Sequence, residues 1–180
     1  MRERVIDREG KETRPETKGF LIYPEQVSLE PGEKRSVRVS WMGEAKLAQE
    51  GAFRFIATQL PIDFKNSEGR DARNVKLKFL IEYVASLYLV PSGAKAKMKV
   101  VSSTVNKKTL ELLLRNEGTA HQLLEHLNIR LKTGGKSISL SAKVLENART
   151  ENILPQSERL LKISLPETMN SPSVDIDFGN

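Results

Sequence analysis

The segment Val75-Lys76-Leu77-Lys78-Phe79-Leu80-Ile81-Glu82-Tyr83-Val84-Ala85-Ser86-Leu87-Tyr88-Leu89-Val90-Pro91 constrains the fold of this chain more than any other. In its first half Val75, Leu77, Phe79 and Ile81 recur at every second position, while Lys76, Lys78 and Glu82 fall between them and only Leu80 interrupts. A period of two puts alternate side chains on opposite faces of a strand, so the four apolar residues share one face. At about 17 residues the run is roughly three times the usual strand length of about 5–6, long enough to serve two partners along its course. One reading is a core strand with a polar outer face. The other is an edge strand that adds itself to a partner protein, contributing ladder hydrogen bonds and a row of apolar side chains. Full burial of four such residues is worth roughly 1.5–3 kcal/mol each before association costs are subtracted. The same edge left unpaired invites aggregation.

The rest of the chain carries short apolar runs bounded by turn residues. Asp7-Arg8-Glu9-Gly10-Lys11 reads as a turn between two short extended pieces in an otherwise polar start. Phe20-Leu21-Ile22-Tyr23-Pro24 precedes a tight turn at Pro31-Gly32, and Val37, Val39 and Trp41 then alternate with polar residues as a half-buried strand requires. Gly43 to Gly51 has room for a single helical turn at most, and Phe53 to Leu60 reads as a strand ended by Pro61. Beyond Pro91-Ser92-Gly93, strands are expected at Lys97–Val101, Thr109–Arg115, Asn128–Lys132, Leu160–Leu165 and Val174–Phe178. The segment Glu117–Leu127 is scored mostly as strand despite the helical spacing of Leu123, Leu124 and Leu127. Strands recurring about every ten residues indicate sandwiches. The expected fold is therefore all-β, with two sandwich domains at 1–91 and 92–180.

Composition supports real cores and excludes several classes. Hydrophobic residues make up 38% and charged residues 29% of 180 residues, which is a folding rather than a disordered composition. The net charge of +6 comes from lysines and arginines interleaved with 23 acidic residues, a solvated basic surface rather than a nucleic-acid footprint. No cysteine is present, so disulfides and thiolate metal sites are excluded. No run of about 18 apolar residues offers a membrane span, and Met1-Arg2-Glu3-Arg4 lacks the apolar stretch of a secretory signal.

Catalytic chemistry needs convergent reactive groups, and none is apparent. His121 and His126, five apart and expected on opposite faces of a strand, read as surface or satisfied polar histidines rather than a metal pair. Thr133-Gly134-Gly135-Lys136-Ser137 lacks the spaced preceding glycine and the following helix of a phosphate loop, and reads as a hairpin turn. Asp175 and Asp177 share a strand face and read as solvated. No catalytic residue, metal ligand or cofactor is assigned.

Taken in order, Phe20 to Pro24, Leu29-Glu30-Pro31-Gly32-Glu33, Val37-Arg38-Val39, Phe53-Arg54-Phe55 through Leu60-Pro61, and the alternating strand closing at Leu87-Tyr88-Leu89-Val90-Pro91 resemble the periplasmic chaperones of the chaperone-usher pilus pathway. Asn116-Glu117-Gly118 and Ile153-Leu154-Pro155 match the second domain of that family, and the likeness covers about residues 20–166. It implies two immunoglobulin-like domains, a non-enzymatic role in fimbrial biogenesis, and a periplasmic location. It also implies pilin subunits as clients and an outer-membrane usher as a further partner. By position, Leu77, Phe79 and Ile81, extended by Val75, would fill the groove of a subunit that lacks a strand. The family's carboxylate-anchoring lysine is replaced here by Ser86, and its partner arginine belongs to a first strand that this chain is expected to lack. With first strands missing, Val37, Val39, Phe53 and Phe55 should form an exposed inner face, favouring strand swapping or self-association. The alternative function is an immunoglobulin-like structural or adhesion module binding partners through loops such as Lys65 to Arg73.

Overall fold

A computed structural model of the chain describes residues 1–60, 80–133, 135–168 and 172–179. The strands before Pro91 are β1 (Arg2–Glu3), β2 (Val5–Ile6), β3 (Glu12–Thr13), β4 (Phe20–Tyr23), β5 (Arg38–Trp41), β6 (Gly51–Thr58) and β7 (Glu82–Leu89). β6 lies between β1 and β7 in an antiparallel sheet, with Gly51 opposite Leu89 and Thr58 opposite Glu82. β4 pairs with β5, which sets Phe20 opposite Trp41. β2 and β3 form the expected hairpin, whose turn needs Gly10 at φ +95° and is closed by Gly10 donating to the Asp7 carbonyl at 3.1 Å. At Pro31-Gly32 the expected turn forms, with Gly32 at φ +81° and Glu33 donating to the Glu30 carbonyl.

Apolar faces of these strands meet at an aromatic cluster. Phe20 lies edge-on to Trp41 (centroids 4.9 Å) and to Phe53 (4.8 Å), the geometry that ring quadrupoles favour. Phe53 is consequently only 7% exposed, so the expected open inner face is covered at its centre. Val39 and Phe55 are half-buried and Val37 is exposed. The cover over Phe53 comes from β4 and β5, while residues 2–3 of the polar start pair along β6 and supply a strand the sequence signal was too weak to mark.

Beyond Pro91 the strands are β8 (Met98–Asn106), β9 (Thr109–Asn116), β10 (Gln122–Leu123), β11 (Asn128–Thr133), β12 (Lys136–Ser139), β13 (Asn152–Ile153), β14 (Glu158–Ser164) and β15 (Ser173–Asp177), with one helix, α1 (Ala142–Arg149), between β12 and β13. They form sheets ordered β14-β9-β8 and β12-β11-β15, plus the short pair β10-β13. Leu110, Leu112 and Leu114 of β9, Ile129 and Leu131 of β11, and Leu161 and Ile163 of β14 point into one core, closed by Leu145 and Ala148 of α1. The chain is thus an all-β sandwich fold, with one short helix among the described residues.

Four expectations change. β7 begins at Glu82, and Leu80 and Ile81 precede it outside any strand. Its ladder stops where β6 stops, since a strand extends only as far as its partner; one further bond, Gln59 N–H to the Ile81 carbonyl at 2.9 Å, carries the pairing past Thr58. No helical turn forms at 43–51. Glu117–Leu127 is mostly turn, with only β10 in a strand, because Leu124 and Leu127 are both drawn fully into the core with Leu127 donating to the Leu124 carbonyl. His121 and His126 therefore do not share a strand; His121 precedes β10 and His126 sits in the following turn.

Candidate functional site

β7 is the last strand of its sheet, hydrogen-bonded to β6 on one side and, among the described residues, to no strand on the other. On the face of Ile81, the odd-numbered residues continue through Tyr83, Ala85, Leu87 and Leu89. Leu87 and Leu89 are half-buried against the β6 side, opposite Phe53 and Gly51. Toward the other end exposure rises: Ile81 is 46% and Tyr83 66% exposed, and Leu80 and Val84 on the opposite face are exposed as well. An unpaired strand edge with exposed large apolar groups on both faces can accept a further strand. Of the residues assigned from sequence, Ile81 lies immediately before β7, its carbonyl accepting from Gln59 N–H; Val75, Leu77 and Phe79 lie outside the described residues. Tyr83 and Val84 belong to β7 and are exposed, and they fall beyond the four residues chosen.

The C-terminal end of β7 enters a charged junction. Ser86, opposite Arg54 of β6, accepts a hydrogen bond from the Arg54 guanidinium. Arg54 also donates through Nε to Glu12 at 2.9 Å and through Nη2 to the same carboxylate. Arg4 Nε and Arg14 Nε reach Glu12 at 2.9 and 2.7 Å. The Arg54 hydrogen bond, followed by those of Arg14 and Arg4, outweighs burial and holds the Glu12 carboxyl far below the usual carboxylate range; Glu12 in turn raises Arg54. Three guanidinium groups around one carboxylate leave a local excess of positive charge beside Ser86.

Tyr88, two residues on along the same face, binds parts of the chain remote in sequence. Its hydroxyl accepts from Arg4 Nη1 and from Asn152 Nδ2, both at 2.8 Å, and its ring stacks on His121 at 4.3 Å. His121 contacts the Glu50 carboxylate through Nδ1 at 2.7 Å, the satisfied polar role expected of it. The hairpin β2–β3 reaches the same region, because the Arg8 carbonyl accepts from Leu160 N–H and Gly10 lies against the Arg159 guanidinium. Neither the Glu12–Arg54 nor the Glu50–His121 contact is signalled by local sequence, since the partners lie 42 and 71 residues apart.

The remaining candidates stay apart from this region. Asp175 pairs with Lys132 at 3.6 Å, and Asp177 accepts from Gly179 N–H. Thr133 faces Lys136 across the β11–β12 hairpin, as expected. Among the described residues no group of three or more histidine, aspartate or glutamate side chains is arranged to hold a metal, and no helix is long and apolar enough to cross a membrane.

No protein-family model and no curated protein matches the chain. Among solved structures, its fold is similar to a chain from the work "Chaperone-tip adhesin complex is vital for synergistic activation of CFA/I fimbriae biogenesis". That match has a TM-score of 0.58 at 14% identity and covers 97% of this chain and 81% of the other.

Proposed function

We propose that this chain is a non-enzymatic chaperone of pilus subunits that lends the free edge of β7 to a subunit lacking a strand. The observation that carries this reading is the unpaired edge with exposed Ile81 and Tyr83, in phase with Val75, Leu77 and Phe79 in the sequence. The likeness in fold to a chain of a fimbrial chaperone–adhesin complex supports it. The reading divides the chain at Pro91 into a client-binding sandwich (1–91) and a supporting one (92–180), and places its work in the periplasm with an outer-membrane usher receiving the client. Without a client, the exposed edge is available to a second copy of the chain.

Ser86 carries no charge, yet it holds the Arg54 guanidinium beside it. In this reading Arg54 and Arg4 take the client's terminal carboxylate, with Glu12 as the internal carboxylate it competes against. The deciding experiment replaces Leu77, Phe79 and Ile81 together by threonine and measures co-purification with a pilin-like subunit, with circular dichroism as the check on folding. Loss of capture by a folded variant is expected. Capture that survives this change but is lost on altering residues 65–73 would assign the loop-binding adhesion module instead.

A further inference from the structure

Glu50, immediately before β6, has a fully buried side chain. Its carboxylate oxygens lie 2.7 and 2.8 Å from His121 Nδ1 and accept the His121 backbone N–H at 3.2 Å, while Glu50 N–H donates to the Thr119 carbonyl at 2.8 Å. Among the described residues, His121 is the basic side chain within salt-bridge distance of this carboxylate, and it is charged only when protonated. A buried carboxylate is costly unless a positive charge accompanies it, and imidazole is the side chain whose charge changes between about pH 5 and 8. The groups around the imidazole are few. From β7 the Tyr88 ring stacks on it; behind that ring, Arg4 and Asn152 donate to the Tyr88 hydroxyl. Arg4 and Arg54 both direct a guanidinium to Glu12, whereas Glu50 is the carboxylate that His121 meets.

We propose that Glu50, His121 and Tyr88 form a proton-sensitive latch that ties the end of the β7 edge to the strands beyond Pro91. With the imidazole protonated, Glu50 has its counter-charge and the segments 50–51 and 119–121 are clamped. On deprotonation Nδ1–H still donates, but the carboxylate is buried without a cation, and the clamp loosens. The latch is therefore tighter on the acid side of the histidine titration. Because Leu89 pairs with Gly51 and Tyr88 stacks on His121, its state reaches the last residues of the edge strand.

The test needs no client, so its outcome is separate from the chaperone reading. Nuclear magnetic resonance of the labelled full chain from about pH 5 to 8 follows the ring of His121, with exposed His126 as internal reference. Hydrogen exchange of the Glu50 and His121 amides, corrected for intrinsic rates, is followed in parallel. Protection is expected to fall roughly three- to tenfold as His121 loses its proton, and to be independent of pH in Glu50→Gln while His126 titrates unchanged. His121→Gln, which keeps a neutral donor, should show protection that is low and flat. Protection that ignores the His121 titration, or a pH dependence that persists in either variant, would overturn the latch.

Discussion

Asn116 is fully buried at the end of β9, and its side chain ties four backbone groups together. Its Oδ1 accepts from Lys97 and Gly118 N–H, and its Nδ2 donates to the Ala120 and Ile153 carbonyls. Asn116→Ala strands those groups, and a loss of about 3 kcal/mol in denaturant unfolding is expected. Two residues on, a Cβ at Gly118 would come within 2.3 Å of the Lys95 carbonyl oxygen, so Gly118→Ala should cost about 2 kcal/mol even though its backbone angles are ordinary. Glu12 has a pH signature of its own. Its folded-state pKa lies below the ordinary 4.5, so its contribution is complete at neutral pH and fades as the pH falls below that value. Glu12→Gln should lower stability at pH 7 by roughly 2 kcal/mol and remove part of the acid sensitivity, as read from urea midpoints at pH 7 and pH 3.

At the scale of elements, legibility followed how far local sequence decides structure. β9 and β11 were plain because leucine and isoleucine alternate with charged residues, and the core takes those apolar positions. Leu131→Ala should accordingly cost about 2–5 kcal/mol in thermal or denaturant unfolding. α1 was missed: its eight residues are too few for a helical signal, Ser141 makes no side-chain cap, and packing of Leu145 and Ala148 against the core holds it in place. The turn at 117–127 was misread because its leucines answer to the core rather than to a ladder. The start of β7 was set by the length of β6, which the segment itself does not encode, and the alternating positions Val75, Leu77 and Phe79 lie outside the described residues. Of the candidate site, Ile81 is the one member of the alternating row among the described residues. The Glu12–Arg54 and Glu50–His121 contacts were not legible, since each joins residues more than forty positions apart.

For the whole molecule, the edge of β7, which pairs with no further strand among the described residues, predicts behaviour in solution. Its exposed Ile81, Tyr83 and Val84 should make self-association depend on protein concentration, and Tyr83→Lys, placing charge on the edge, should shift sedimentation toward monomer. The hairpin β2–β3 carries a different implication, one about the order in which the chain assembles. It is held by Arg54 at one end and by Leu160 and Arg159 at the other, so its docking site does not exist until strands from both ends of the sequence are in place. Contacts of such sequence separation form late. The hairpin is thus expected to be the last part to close, and pulse-labelling during refolding should find the Asp7 and Leu160 amides protected only after those of β9.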